Sequence, residues 1–280
     1  MISQLVVSSA ITIAEARAKR RGASIYAGRP LTLIERAFYA AKSSNWLIIL
    51  SGFVEPVLYL LAFGFGIGQL IGDMQDGNGN PVSYAAFIAP ALLATSAMNG
   101  AIYDSTWNVF FKMHFGKIYQ VILSTSVGPL DVALGEIIWA LMRGLIYSLG
   151  FMAIVVPLGL VTNAWAILAI PAALLIAFGF ASIGMAITSY LKNIQQMDWV
   201  NFFMLPMFLF SGTFFPVSVY PDWIEVAVMA LPLWQGVEMV RSLMLGIIDL
   251  SLLGHVVYFL AMIIGGLIFT TLRLKSLFMR

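Results

Sequence analysis

Four ionisable residues stand inside otherwise apolar stretches of this chain: Glu55, Asp104, Glu136 and Arg143. Carboxylates placed together can act as general acid and base, but that chemistry needs a nucleophile, a metal or an activated water beside them. The chain has no Cys, and His114 and His255 are too far apart for a His-based metal site, so no metal is expected. It carries no GxSxG, no HExxH and no Asp-rich pair of the diphosphate-binding kind. Gly116-Lys117 comes nearest to a phosphate loop, but Ile118 follows where Ser or Thr is required and Phe111 stands where the earlier Gly should be. The chain has no Walker motif for ATP. If it performs energised transport, the motor is another polypeptide.

What positions these charges follows from composition. Of 280 residues, 61% are apolar and only 10% charged, against about 45–50% and about 25% in soluble domains. The apolar residues are spread along the whole length, which describes a polytopic membrane protein. A formal charge of +2 gives no sign of nucleic-acid binding. A spanning helix needs about 20 mainly apolar residues, and such runs fall near 46–71, 84–110, 132–157, 164–190, 199–215 and 252–272. They are continuous rather than alternating, which disfavours a β-barrel. The expected fold is all-α with six transmembrane helices. Thirteen of the 15 Lys and Arg residues fall before the first run, in the loops after the second and fourth, and in the tail. By the positive-inside rule both termini are cytoplasmic.

On this frame Glu55 lies about 14 Å, and Arg143 about 18 Å, above the cytoplasmic start of its helix. Charges at mid-membrane tend to pair or to line an aqueous path. An ion pair or shared polar cluster between Glu55 and Arg143 at a conduit wall is therefore expected, with Glu136 and Asp104 extending it toward the cytoplasm. The bland alternative is that each group is satisfied locally for structural reasons.

Three further segments have a defined character. Residues 1–45 form a basic cytoplasmic segment. Within it, Leu31, Ile34, Phe38 and Ala41 share one helical face after Pro30, as in an amphipathic helix lying on the membrane surface. The cytoplasmic loop 111–130 carries Phe111, Phe115, Ile118 and Ile122 at helical spacing with Lys112 and Lys117, and Gly128-Pro129 breaks it from the next span. A short helix there suits the groove of a soluble subunit; the alternative is a plain cap on the bundle. In 220–246, Pro221, Asp222, Glu225, Pro232, Glu238 and Arg241 interrupt the apolar pattern. That segment reads as a short helical hairpin in the outer leaflet, not a seventh span. Gly64, Gly68 and Gly72 form a small-residue stripe on the first span, suited to core packing or to a dimer seam.

The chain resembles the ABC-2 type permeases, the membrane subunits of ATP-binding-cassette exporters. Three stretches carry the likeness: Glu55-Pro56-Val57-Leu58-Tyr59-Leu60-Leu61-Ala62-Phe63-Gly64 with Gly66 and Gly68, similar to the drug and nodulation-factor export branch; Gly116 through Leu130, at the family's coupling helix; and Phe210-Ser-Gly-Thr-Phe-Phe-Pro216 followed by Pro232-Leu233 and Arg241. Gln235 departs from the His, Arg, Ser or Tyr usual in the family signature.

The resemblance implies a half-transporter in the bacterial plasma membrane that moves a drug, lipo-oligosaccharide or glycolipid outward. Two permease subunits, as a homodimer or a heterodimer, would bind two copies of an ABC ATPase holding ATP and Mg. This chain itself would hold no cofactor and hydrolyse nothing. The coupling contacts it implies are Phe111, Lys112, Phe115, Gly116, Lys117, Ile118, Tyr119 and Ile122. The expected organisation is 1–45 interface segment, 46–273 transmembrane domain and 274–280 cytoplasmic tail. The alternative function is a secondary transporter or channel driven by an ion gradient, with Glu55, Asp104, Glu136 and Arg143 as its coupling path.

Overall fold

The computed structural model describes residues 25–42, 54–75, 79–161 and 163–278. The basic cluster before Ile25, the start of the first expected span before Val54, and the Ala41 side chain lie outside the described residues.

Helix α1, Pro30–Lys42, starts on a proline, whose fixed φ suits a first helical position. Helix α2, Val54–Ile71, is wound as a π-helix over Leu60–Ile67. A two-residue ribbon, β1 Met74–Gln75 on β2 Pro81–Val82, flanks the turn-rich loop. Helix α3, Tyr84–His114, is capped by the Ser83 hydroxyl, which accepts from the Ala86 N–H at 3.3 Å, and contains a π turn at Asp104–Asn108. Short α4, Ile118–Leu123, precedes α5, Pro129–Val155, which again opens on proline. Helix α6, Ala164–Thr188, begins with a 3₁₀ turn capped by Asn163, whose side-chain oxygen accepts from the Trp165 N–H at 3.0 Å. Then come α7, Asp198–Phe210, fed by the 3₁₀ turn Ile194–Met197; α8, Asp222–Met229; α9, Pro232–Leu245; and α10, Ser251–Phe278.

The hub is α3. Its most apolar stretch is 89% buried, against 17% for α2 and 22% for α10. Its run of alanines presents little side-chain volume, so α5, α6 and α9 approach it closely. Helices α6 and α10 come closer still: a Cβ on Gly266 would stand 2.5 Å from the Ser182 carbonyl carbon. Gly64 and Gly68 of α2 rest on Ala85 and Tyr84 of α3, so these two glycines of the stripe serve packing within the subunit.

The two ends of the bundle are identified by contacts. At one end the His114 ring meets the Leu191 carbonyl at 2.8 Å, and Arg273 donates to the Ser189 carbonyl at 3.3 Å while its guanidinium lies over Tyr190. The end of α3, the loop after α6 and the end of α10 therefore lie together, with Lys192 and Lys275 beside them. At the other end the Tyr84 hydroxyl donates to the Phe214 carbonyl at 2.9 Å.

Five helices, α2, α3, α5, α6 and α10, are long and apolar enough to span, and α8 with α9 makes a sixth such unit if the pair is taken as one, bent by 82°. The expected span at 199–215 is different. Its helix α7 has only 13 residues and stops at Phe210, because Gly212 takes φ +69° and turns the backbone out of the helix. The chain nevertheless travels from the Lys192 end to the Tyr84 end within about 20 residues, enough to cross. The crossing is completed by irregular backbone in which Ser211 and Thr213 are fully buried. Such backbone is tolerated at membrane depth where protein surrounds it.

Candidate functional site

Three groups of charges face inward, one behind the other. Nearest the basic end, Asp131 in the first turn of α5 is completely buried. Its carboxylate accepts from the backbone N–H groups of Ala27 at 2.7 Å, Gly128 at 2.9 Å and Arg29 at 3.0 Å. The Arg29 guanidinium donates to Ser126 at 2.6 Å, and the Leu130 N–H to the Ile25 carbonyl at 3.0 Å. The segment leading into α1 is thus clasped to the start of α5. One turn on, Leu33 packs on Gly135, where a Cβ would come within 2.7 Å of it.

Next, Glu136 binds two cations from different elements: Lys112 of α3 at 2.5 Å and Arg36 of α1 at 3.6 Å. Tyr119 of α4 is fully buried beside it. Burial first, and the neighbouring Glu136 charge second, push the Tyr119 hydroxyl well above its ordinary range, so it stays neutral.

Deeper in the bundle, Arg143 pairs with Asp104 at 2.6 Å, and Asn108 donates to the same Asp104 across the π turn. The guanidinium also lies over the Tyr103 ring. This corrects the expected partnership: Arg143 is bound to Asp104, not to Glu55. Similar depth does not give similar azimuth, and Asp104, at the start of the π turn, faces Arg143 of α5. Glu55 stands apart. It is exposed on α2 and has no ion-pair partner among the described residues. It lines a pocket of about 200 Å³ between α2, α3 and α7, together with Tyr59, Thr95, Asn99, Asn201 and Phe208. The pocket is apolar-walled with four polar side chains, and its aromatic wall continues as a cluster of Tyr59, Phe63, Phe208 and Phe214 with ring centroids 4.9–6.3 Å apart. Sequence reasoning missed Asn99 and Asn201; their signal was an amide inside an apolar run.

The turn between α3 and α4 projects from the basic end. Phe115 is 67% exposed and Val121 66%, with Phe111, Gly116 and Lys117 also exposed and Ile118 and Ile122 half-buried. Lys117 adopts φ +47°, uncommon for a residue with a side chain and frequent where function fixes a turn. Two of the expected contact residues turn inward instead: Tyr119 anchors the helix and Lys112 is held by Glu136. Val121 was not singled out because it falls off the Phe111–Ile122 stripe. On α1, Leu31 and Phe38 are exposed and Ile34 half-buried, while Leu33, off the expected face, docks the helix.

At the opposite end, buried Arg241 of α9 donates to the Gly212 carbonyl at 2.6 Å, pairs with Glu238 at 2.8 Å and lies over Phe87 at 4.2 Å. It supplies the partner that the irregular backbone after α7 lacks. Gln235 donates to the Met229 carbonyl at 2.8 Å and meets the His255 ring at 2.5 Å, joining α8, α9 and α10. Pro232 opens α9.

A bundle of five or six long apolar helices defines a multi-pass membrane protein. Residues 31–245 match the ABC-2 type transporter family, and the chain belongs to that family. It is similar to Nodulation protein J of Sinorhizobium fredii, 30% identical over 81% of this chain and 86% of that one. It is also similar to Nodulation protein J of Rhizobium meliloti, 29% identical over 75% and 79%, and of Bradyrhizobium diazoefficiens, 28% identical over 75% and 79%.

Proposed function

We propose that this chain is the permease half of an ATP-driven exporter for an acylated oligosaccharide or similar amphipathic molecule, paired with a second permease subunit and powered by two separate ABC ATPase subunits. The observation that carries this is the turn around Phe115 and Val121. It holds large apolar side chains out of the bundle at the basic end, while Tyr119 and Lys112 root it in the interior. An exposed apolar patch on a rooted helix suits a protein partner able to push on it. With that end cytoplasmic, as the Lys and Arg distribution favours, both chain ends share the ATPase side.

The pocket at Glu55 suits a polar headgroup carried on an apolar tail: Glu55, Asn99 and Asn201 offer hydrogen bonds, and Tyr59 and Phe208 a ring surface. The likeness to Nodulation protein J favours a lipo-oligosaccharide over a small drug. The ion-driven alternative needs a connected ionisable path. Asp104, paired with Arg143, and Glu136, bound by Lys112 and Arg36, are instead held in two separate clusters, which weighs against it.

The test is co-purification. A tagged chain should retain an ABC ATPase from its own membrane, and F115D with V121D should release it while leaving the chain in the membrane. Retention of the ATPase by the double variant would refute this contact.

A further inference from the structure

Glu136 is the one carboxylate among the described residues on which four elements converge. It sits on α5 and is nearly buried, at 5% exposure, with Arg36 reaching it from α1, Lys112 from the end of α3, and Tyr119 of α4 buried alongside. The other links between these elements are not shared in this way. Asp131 and Gly135 hold α1 to α5 through backbone hydrogen bonds and Leu33, and Arg29 ahead of α1 donates to Ser126 in the α4–α5 loop. Tyr119 and Lys112 sit directly behind the exposed turn. Lys112 and Tyr119 thus connect the turn to Glu136, and the Arg36 guanidinium of α1 lies 3.6 Å from the same carboxylate.

We infer that Glu136 is a transmission post: it carries movement of the α3–α4 turn to the surface helix α1, so that α1 shifts when the turn is pushed. This rests on the reading of the turn as an ATPase contact. Glu136 touches no substrate; it is a positioning residue whose effect passes through Arg36. The physical basis is that a nearly buried carboxylate stays with its counter-charges, because separation leaves a desolvated charge uncompensated. Lys112 and Glu136, 2.5 Å apart, form such a pair, and Arg36 of α1 adds a second, more exposed cation at 3.6 Å.

The chain has no Cys, so a single introduced thiol labels it uniquely. Bimane fluorophores attached at Y39C on the exposed side of α1, and separately at S124C at the end of α4, report the two helices in the full permease–ATPase complex in nanodiscs. In the otherwise unsubstituted chain, ATP with vanadate is expected to shift emission at both positions. In E136Q the shift at S124C and the ATP hydrolysis rate should persist while the shift at Y39C is lost. R36Q should give the same pattern, and it leaves Glu136 paired with Lys112, so it carries the test if E136Q fails to assemble. Persistence of the Y39C shift in R36Q or E136Q overturns the inference. An absent shift at both positions in the unsubstituted complex refutes the ATPase-driven reading itself, a distinct failure.

Discussion

Arg143 needs a counter-charge because a guanidinium in an apolar helix has no water to turn to. Asp104 meets that need, buried to 3% and bonded also to Asn108. Removing one member of such a pair leaves the other uncompensated, an effect of about 3–5 kcal/mol in buried sites. R143Q should therefore lower the unfolding temperature of the detergent-solubilised protein measured by tryptophan fluorescence, and D104N with R143Q should recover most of the loss. A double variant no more stable than R143Q would show that the pair is not the stabilising unit. The sequence made the four charges legible, but not their partners. Glu55 and Arg143 lie at similar depth on their helices, and depth alone was used to pair them. Depth does not fix the direction a side chain takes around its helix, and Asp104 opens a π turn that residue spacing does not reveal.

Among the elements, α1 shows how packing selects a face. Its amphipathic pattern pointed to Leu31, Ile34 and Phe38; of these Leu31 and Phe38 are exposed and Ile34 is half-buried. The docking contact is made instead by Leu33 against Gly135, a position where any side chain would collide with it. G135V should push α1 off α5 and expose the 25–40 segment to protease in membrane vesicles, while leaving α5 helical; unchanged protection would contradict the assigned docking. Helix α7 teaches the complementary lesson. Its apolar run was readable as a crossing, but its last stretch is irregular, because Gly212 breaks the helix and Arg241, 29 residues later, binds the freed carbonyl. A hydropathy pattern records the solvent around a segment. It does not record that a distant arginine will make non-helical backbone acceptable there.

For the molecule as a whole, the asymmetry of basic residues was the most informative feature of the sequence, and the contacts among Leu191, His114, Ser189 and Arg273 gather several of their carriers at one end. That end also bears the projecting turn, so the region best suited to a soluble motor and the region favoured as cytoplasmic coincide. The hub role of α3 follows from its small residues, and it connects the turn directly to the pocket lined by Leu92, Thr95 and Asn99 on the same helix. Absent from the sequence was any sign of which helices enclose that pocket, since its residues come from three segments separated by long stretches of chain.

On the proposed reading, ATP hydrolysed by a partner, not an ion gradient, moves an amphipathic substrate through this chain. Uptake of a radiolabelled acylated oligosaccharide into inside-out vesicles containing the permease and its ATPase tests it most directly. Uptake should require ATP, stop with vanadate and persist when an uncoupler has collapsed the proton gradient. Uptake without ATP that the uncoupler abolishes would contradict it.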